Sequence, residues 1–480
     1  MLFYMRLYFL FFLTLVIAGC QQQIATAPVS ITHVTPEREI RIDPILIPND
    51  HGNKAFNGLR YTDEVYGFYR SNSYVPFWLE NNVRSSRADS MIMMVRSARK
   101  YGLLPQQYHF HEIPELVLEP MNRPKMARLD VILTDALLSM AHDLKQGRMK
   151  VLKAKPQMDS LDVVNIVAAV ELWGVKKALE HREPLYEGYL ALKRALHSIL
   201  DTVSLTDQNL LMYGITNDSI DVHRKVQRIE INLERWRTEN ATLDSIYTWI
   251  NVPAFMFYVM EKHTITMESR IVVGTPATPT PLFSSSIDCF TIYPYWYVPR
   301  KIAVQEYLPI IKKDTTFLTR NNFDVLDKNG NVQSLDSIDW KRYNANNFPF
   351  IFRQREGTEN SLGIIKFVFD NPYAVFLHDT NSKRLFRNKV RAYSHGCIRL
   401  EKAFEFAHYL IGDNRTRITP EVLNRYLRQQ KRITINLLYT VPIHIRYFTC
   451  EVKGDELLIY DDIYKKDITL IRKLYTQQLY

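Results

Sequence analysis

The chain has 480 residues, of which 46% are apolar and 23% are charged, so it can bury sizeable cores and is neither fibrous nor intrinsically disordered. Lys and Arg outnumber Asp and Glu by 61 to 51, which favours an anionic partner such as nucleic acid, anionic lipid or a polycarboxylate. The cysteines and histidines include no Cys-x-x-Cys pair and no paired-histidine spacing, so no metal site is predicted.

The first 20 residues have the organisation of an export signal. Arg6 precedes an apolar stretch, Leu7 to Ile17, that is too short for a membrane span. The small residues Ala18 and Gly19 before Cys20 resemble a lipoprotein cleavage site, which predicts a lipid-modified Cys20 at the mature amino terminus. The alternative is a secretory signal cut elsewhere. A neutral residue follows Cys20, so the sequence predicts a periplasmic protein anchored to the outer membrane.

Residues 21–54 are predicted to be a flexible tether. They contain Pro28, Pro36, Pro44 and Pro48 and have no sustained apolar period. A flexible coil of this length reaches about 30 Å on average. Export argues against nucleic acid and leaves anionic lipid or a polycarboxylate as the anionic partner.

Residues 55–245 are predicted to form an α-helical scaffold domain. Helical periodicity is clear around 128–148, where Pro124 precedes the pattern and Gly147 lies near its end. Segments 88–101 and 168–199 have a similar character. The helix around 128–148 is predicted to be amphipathic, with its apolar side formed by Leu129, Ile132, Leu133, Ala136, Leu137, Met140, Ala141 and Leu144.

Residues 246–470 are predicted to form a mainly β domain, so the fold class is α+β. Helical interruptions are expected at 303–313 and 401–412. Residues 297–355 form a polar, aromatic insertion, either a cap over a groove or a surface decoration. The strand-like runs are Ile250–Val259, Ile271–Val273, Ile287–Tyr293, Ile364–Phe369, Ala374–His378 and Ile433–Leu438.

Cys397 lies in a Ser-His-Gly-Cys run, and His378 lies nineteen positions upstream. A thiol near its free pKa is only slightly ionised at neutral pH, so a catalytic cysteine needs a base such as this histidine. The backbone N–H groups of Gly396 and Cys397 are candidates for an oxyanion hole. A helix predicted just after Cys397 is expected to lower its pKa. The alternative is a buried structural cysteine and a histidine satisfied in the core.

The whole string from Ser394 to Leu400, preceded by His378-Asp379-Thr380, resembles the signature of bacterial L,D-transpeptidases with a YkuD-type domain. The stretch between Leu196 and Val226 is too short for the complete peptidoglycan-binding module that many long members carry. Other segments resemble the long, YcbB-like branch: Ile271–Pro276, Tyr295–Pro299, Gly363–Phe367, Asn371–Tyr373, Asn232–Arg237, Asp462–Tyr464 and, more loosely, Phe68–Tyr69, Tyr74–Trp78 and Gly102–Pro105. The resemblance to this branch implies that the insertion at 297–355 is a cap that closes over the substrate groove.

The resemblance implies a peptidoglycan L,D-transpeptidase that needs no cofactor, forms 3→3 crosslinks through a cysteinyl thioester on tetrapeptide stems, and is acylated by carbapenems. His378 is implied as the base, oriented by the backbone carbonyl of Asp379. His395 is implied as a supporting residue that donates to the loop, with base as its alternative role. Arg399 either braces the loop or meets a substrate carboxylate. The residues expected to line the substrate pocket are Tyr373, Asp379, Tyr393 and Ser394.

Several alternatives remain open at this point. The same acyl-enzyme would serve an L,D-carboxypeptidase, a D-amino-acid exchanger or a protein-attaching enzyme, and a non-catalytic wall-binding scaffold is a third class. Cys289 and Cys450 either pair or remain free, because an exported protein permits both. A zinc site made from His378, His395 and Cys397 lacks a clear fourth ligand.

Overall fold

The computed structural model describes residues 58–81, 83–117, 122–149, 158–205, 207, 220–239, 243–412 and 415–475. The predicted signal, the lipidation site Cys20 and the predicted tether lie outside these residues. All the described residues belong to one compact unit. Within them, no helix is both long enough and apolar enough to span a bilayer.

The first half of the described chain is helical, apart from a short hairpin made of β1 (Leu79–Glu80) and β2 (Val83–Arg84). The helices are α1 (Thr62–Ser71), α2 (Ser86–Arg96), α3 (Glu112–Val117), α4 (Arg123–Gln146), α5 (Ser160–Trp173), α6 (Val175–Glu180), α7 (Glu187–Leu200) and α8 (Ile220–Arg237).

The helix predicted around 128–148 is observed as α4 over Arg123–Gln146, so it begins earlier than predicted, and it is not amphipathic. Asn122 caps its first turn by accepting a hydrogen bond from the Lys125 N–H (3.0 Å), and Gly147 follows its last residue with a φ of 73°. The polar side of α4 is buried as well, because the surrounding elements supply partners. Asp130 accepts from the backbone N–H groups of Phe77 and Trp78, at 2.9 Å each.

The second half of the described chain contains a large sheet, a small subdomain and several helices. The strands are β3 (Ile246–Asn251), β4 (Met256–Glu261), β5 (Thr264–Gly274), β6 (Phe283–Ile292), β7 (Trp296–Tyr297), β8 (Phe323–Leu326), β9 (Ile351–Gln354), β10 (Ile365–Phe369), β11 (Leu377–His378), β12 (Ala392–Ser394), β13 (Ile398–Leu400), β14 (Ile433–Arg446), β15 (Cys450–Lys453) and β16 (Glu456–Ile459). The helices are α9 (Arg300–Ile302), α10 (Leu308–Ile311), α11 (Phe317–Arg320), α12 (Ala403–Ile411), α13 (Pro420–Arg428) and α14 (Lys466–Tyr475).

In the described part of the chain, nine strands form one sheet in the order β12-β5-β13-β11-β10-β6-β14-β3-β4, and β4 also pairs with β5. This extra pairing closes the sheet on itself, so strands distant in sequence become neighbours. The prediction of one strand over Ile250–Val259 is wrong. Those residues form the β3–β4 hairpin, whose turn ends at Phe255 with a φ of 55°.

The helical and β parts share a core. Trp236 of α8 stacks on Trp249 of β3 (ring centroids 5.5 Å apart) and on Phe448 (4.5 Å), and Leu233 and Tyr189 lie in the same apolar cluster. These side chains bury each other, so the helical and β parts contribute jointly to this apolar cluster.

The insertion has a core of its own. Strands β7, β9 and β8 form a three-stranded sheet, so the subdomain runs from Trp296 to Gln354, close to the predicted 297–355. Val298, Leu318, Val325, Trp340 and Phe352 are buried together in it. A segment that buries its own apolar cluster is a folded subdomain rather than a loose surface loop.

Candidate active site

Three neighbouring strands bring the predicted catalytic residues together. Strands β10 and β11 are antiparallel and place Lys366 opposite His378, while β11 and β13 are parallel and place His378 opposite Arg399. Residues in register project from the same face of a sheet, so these three side chains form one row. Cys397 is two residues before Arg399 and therefore lies on the same side. The alternate residues, such as Phe367 and Ile398, enter the core on the other side.

His378 is buried and held in one orientation. Its Nδ1 lies 2.5 Å from the backbone carbonyl oxygen of Asp379. A carbonyl oxygen can only accept, so Nδ1 carries the hydrogen and Nε2 has the free lone pair that a base needs. This carbonyl is the one that the resemblance implied. Burial, reinforced by the positive charge of Arg399, lowers the pKa of His378 to about 3.

The carboxylate of Asp379 stabilises the loop beside His378. The prediction that Asp379 lines the substrate pocket is wrong. The side chain is 2% exposed, accepts from the backbone N–H of Ile364 (2.9 Å) and pairs with Lys383. It packs so closely on Gly363 that a Cβ there would lie 2.4 Å from the carboxylate oxygen, and Gly363 has a φ of 63°. Asp379 therefore pins the 360–364 loop beside His378.

The Ser-His-Gly-Cys turn is braced from inside. Ser394 is 3% exposed, and its hydroxyl donates to the Cys397 carbonyl (2.5 Å) while accepting from the Gly396 N–H (3.1 Å). Thr280 Oγ1 donates to the Gly396 carbonyl at 2.9 Å. The prediction that Ser394 lines the pocket is therefore wrong. The Gly396 N–H is engaged with Ser394 and so is not a free oxyanion donor.

Gly396 is needed at its position for its backbone conformation. Its φ is 114°, a region that residues with a side chain rarely adopt. Space is not the limit, because a Cβ there would make only ordinary contacts, the nearest at 3.8 Å. The glycine thus gives the chain the turn that presents Cys397.

Cys397 is followed by a strand, contrary to prediction. Strand β13 begins at Ile398, and helix α12 begins only at Ala403, so no helix starts at the thiol. Burial raises the pKa of Cys397 above its ordinary value, while hydrogen bonding from the Phe376 backbone and the positive charges of Lys366 and Arg399 act in the opposite direction. The expected lowering of this pKa by a helix is therefore wrong.

The insertion contacts the nucleophile turn directly. His395 Nε2 lies 2.8 Å from a carboxylate oxygen of Glu306, and both side chains are about half exposed. Glu306 belongs to a π-helical turn, Ala303–Tyr307, a type of turn found often at functional sites. His395 was expected to donate to its own loop, and its observed hydrogen-bond partner lies in the insertion instead.

The two predicted tyrosines are exposed. Tyr393 is 44% exposed and its hydroxyl accepts from the Asn388 side chain at 2.9 Å, while Tyr373 is 54% exposed with its ring 5.4 Å from that of Phe283. Both keep surface available for a ligand. Of the four residues predicted to line the pocket, these two remain candidates.

Sequence reasoning missed Lys366. Its ammonium lies 3.5 Å from the centre of the Phe376 ring, and it is close enough to Cys397 and His378 to affect both pKa values. The available signal was a charged residue in a strand that is otherwise apolar, Ile364–Phe369. Its position beside the nucleophile depends on the β10–β11 register, which the sequence does not reveal.

Cys289 on β6 and Cys450 on β15 are both free, so they do not form the disulfide that was considered. Burial raises the pKa of both thiols. Neither lies in a turn like that of Cys397.

The resting pair of Cys397 and His378 is neutral at physiological pH, because the pKa of the thiol is raised and that of the imidazole is lowered. We therefore expect the rate of Cys397 alkylation by iodoacetamide to stay low at about pH 5 and to rise continuously into the alkaline range. Mass spectrometry of the peptide containing Cys397 at each pH measures it. A plateau of high reactivity between about pH 5 and 7 would reveal a thiolate–imidazolium pair and contradict this expectation.

Comparison with known proteins agrees with the two-part structure. A family profile described as the L,D-transpeptidase catalytic domain (YkuD) matches residues 245–419, and one described as a Scaffold domain matches residues 63–196. The first match includes the sheet strands from β3 to β13 and the whole insertion. A relative from Haemophilus influenzae, named "Putative L,D-transpeptidase", is 27% identical over 412 residues, which are 85% of this chain and 79% of the relative.

Solved structures resemble the chain only slightly. The Ldtfm–avibactam carbamoyl enzyme is 12% identical with a TM-score of 0.20 and matches over 42% of this chain and 49% of its own. The L,D-transpeptidase from Mycobacterium smegmatis is 11% identical with a TM-score of 0.18 and matches over 42% and 58%. The chain thus spans about half the length of these structures. By its two profile matches and its curated relative, the chain has a Scaffold domain followed by a YkuD-type L,D-transpeptidase catalytic domain, the order of the long, YcbB-like architecture.

Proposed function

We propose that this protein is a peptidoglycan L,D-transpeptidase that joins stem peptides by 3→3 crosslinks through a thioester on Cys397. The observation that carries the proposal is the arrangement of the nucleophile and base. His378 is locked with Nε2 as its basic nitrogen by the Asp379 carbonyl, and it lies on the strand beside the Cys397 turn.

Acylation starts from the neutral pair. As the Cys397 sulfur attacks the carbonyl of the third, diamino-acid residue of a tetrapeptide stem, the thiol proton passes to His378 Nε2. In the resting structure no hydrogen bond joins the Cys397 sulfur to the His378 ring, which is common for a general base before substrate binds. The carbon–nitrogen bond to the terminal D-alanine then breaks, and His378 returns the proton to the departing amine. The thioester remains.

Resolution reverses these roles. The side-chain amine of a neighbouring stem attacks the thioester carbonyl and loses a proton to His378, the carbon–sulfur bond breaks, and the proton returns to the sulfur. Water in place of the amine would give a carboxypeptidase, and a free D-amino acid would give exchange. The insertion, in contact with the nucleophile turn through Glu306 and His395, is suited to favour an amine acceptor over water.

The direct test is incubation of the purified protein with a disaccharide tetrapeptide, followed by mass spectrometry of the products. A crosslinked dimer lacking one D-alanine is expected. Only a tripeptide product would instead establish the carboxypeptidase, and no product from protein that still reacts at Cys397 would contradict both.

The thioester intermediate leads to an inhibitor prediction. A carbapenem should acylate Cys397, because its strained amide is attacked by the same thiol and base. We expect the peptide containing Cys397 to gain the mass of the carbapenem, and alkylation of Cys397 beforehand should prevent the gain. A label on Cys289 or Cys450, or crosslinking that persists without any adduct, would require a different nucleophile.

We also propose that the enzyme works in the periplasm, held to the outer membrane by lipid on Cys20, with residues 21–54 as the tether to the wall. The proposal rests on the signal-like sequence that ends at Cys20. A Cys20→Ala variant that is still processed and still fractionates with outer membrane would contradict it.

A further inference from the structure

A large cavity lies between the helical part and the β part. Its volume is about 960 Å³, at the upper end of the roughly 300–1,000 Å³ that is usual for small-molecule sites. Residues 182–188, which lead into helix α7, form one wall, and Trp236 of α8 lies beside them. Tyr247 and Trp249 of β3 and Tyr258 of β4 form another wall. The row of catalytic candidates on β10, β11 and β13 contributes none of the described lining residues, so the cavity is a separate site.

The lining contains buried N–H donors without acceptors. Within the described chain, nothing accepts a hydrogen bond from Trp236 Nε1, Arg237 Nε or Arg182 Nε, although all three atoms are buried. Trp236 is 9% exposed. The two guanidinium groups are ion-paired through their terminal nitrogens, so only their Nε–H groups lack an acceptor. A buried donor without an acceptor costs free energy, so this cluster points to a ligand that brings acceptors.

The indole edge that carries Nε1 faces Gly188, which also lines the cavity. A Cβ at Gly188 would lie 2.3 Å from Cζ2 of Trp236 and 2.9 Å from Cε2, the carbon bonded to Nε1. The indole is held in place by the rings of Tyr186, Trp249 and Phe448, with centroids 5.2, 5.5 and 4.5 Å away. The glycine therefore leaves open the side from which an acceptor approaches Nε1.

The charges of the lining are already balanced. Each lysine, arginine and glutamate of the lining has an ion-pair or hydrogen-bond partner within the protein. Lys145 and Arg182, for example, both pair with Asp162 at 3.0 Å. Glu451 accepts from the Tyr460 hydroxyl at 3.2 Å, and burial raises the pKa of Glu451 to about 7, so its charge at neutral pH is only partial. The cavity is therefore suited to an uncharged ligand.

We propose that this cavity is a noncatalytic binding site for a neutral glycan whose rings carry N-acetyl groups, with an acetamido carbonyl accepting from Trp236 Nε1. The apolar face of a sugar ring packs on aromatic side chains, and its hydroxyl and acetamido oxygens satisfy buried donors. An acyl chain would leave the donors unpaired, and an anion would meet cations that are already neutralised. The glycan that carries peptidoglycan stems has such rings, and only this identification of the natural ligand rests on the proposed function.

The test uses two neutral trisaccharides that differ in their acetamido groups. Triacetylchitotriose has an N-acetyl group on every ring, and cellotriose has a hydroxyl at the same position. By isothermal titration calorimetry with the wild-type protein, we expect triacetylchitotriose to bind saturably. Cellotriose should bind at least about tenfold more weakly, because it leaves a buried donor unpaired. No binding of triacetylchitotriose, or equal binding of both sugars, would overturn the proposal.

A variant at the rim of the cavity tests the location without endangering the fold. Leu185 lines the cavity and is 89% exposed. Leu185→Ala should raise the Kd for triacetylchitotriose about three- to tenfold, because apolar contact with the sugar is lost. Leu172→Ala is the matched control, since Leu172 on α5 is 73% exposed and lies outside the lining. An unchanged Kd in Leu185→Ala would place the sugar elsewhere and overturn the proposal.

A second variant tests the donor itself. Trp236→Phe keeps an aromatic ring but removes the N–H, so it should lose most of the preference for triacetylchitotriose over cellotriose. Trp340→Phe makes the same change in the core of the insertion and should keep the preference. Full preference in a Trp236→Phe protein that melts cooperatively would contradict the role of Nε1.

The proposed function fails separately from this site. Alkylation of Cys397 should leave triacetylchitotriose binding unchanged, because the cavity is separate from the catalytic row. Loss of binding on alkylation would place the sugar at that row and overturn the proposal. Sugar binding by a protein that yields no crosslinked product would leave the glycan site standing and refute the transpeptidase, and crosslinking without sugar binding would do the reverse.

Discussion

Replacement of Cys397 by serine is expected to leave a folded protein whose acyl-transfer rate falls by more than about 1,000-fold, equivalent to about 4 kcal/mol of barrier. An alcohol is a much weaker nucleophile than a thiol, and the only base at hand is His378, whose pKa of about 3 makes it a poor match for a hydroxyl proton. Crosslinked product measured by mass spectrometry at equal protein concentration gives the rate.

The matched control is Cys289→Ser, which makes the same chemical change at a free, partly exposed cysteine on β6. We expect this variant to keep wild-type turnover. Thermal melting of both variants should show that neither has unfolded, because the Cys397 turn is held by Ser394 and Gly396 rather than by the thiol. Crosslinking by Cys397→Ser at a rate near that of the wild type would sink the assignment of the nucleophile.

The second large effect is expected at the base. His378→Gln should lower turnover by about 100- to 10,000-fold, the usual contribution of a positioned general base. His395→Gln should lower it by less than about tenfold, because His395 is half exposed and its observed contact is with Glu306 of the insertion. Initial rates of both variants, compared at matched melting temperatures, test the ranking.

A pH profile separates the two histidines further. The depressed pKa of His378 keeps its imidazole neutral. Protonation of His378 should therefore not lower the wild-type rate as the pH falls through about 6.5, the ordinary histidine pKa. The same depressed pKa means that the unfolded chain binds the proton of His378 more tightly, so this residue lowers the stability of the fold as pH falls from about 6.5 towards 3. The reverse ranking of the two variants would make His395 the base.

Local sequence was enough to single out Cys397 and His378 as the candidate nucleophile and base. The Ser-His-Gly-Cys run is a short motif, and His378 lies upstream of it. A catalytic thiol needs a base, so the pair predicts a cysteine nucleophile assisted by a histidine. The end of α4 at Gly147 was also readable, since helix ends depend on neighbouring residues. In each case the deciding interaction lies within a few residues of chain.

Tertiary structure decided the features that depend on pairing between distant strands. The hairpin at Phe255 replaced a predicted single strand because β4 finds partners on both of its sides. The burial of Asp379 and Ser394 could not be read from their polarity, since each is satisfied by groups that the folded loops bring to it.

The position of Lys366 beside His378 also depends on distant strands, because it follows from the register of β10 with β11 and of β11 with β13. The contact between Glu306 and His395 spans 89 residues and forms only once the insertion has folded on its own core. The sequence by itself singled out the candidate residues for the proposed chemistry. The tertiary structure decided which charges surround them, because the field at a buried thiol is the sum over groups that only folding brings within a few ångströms.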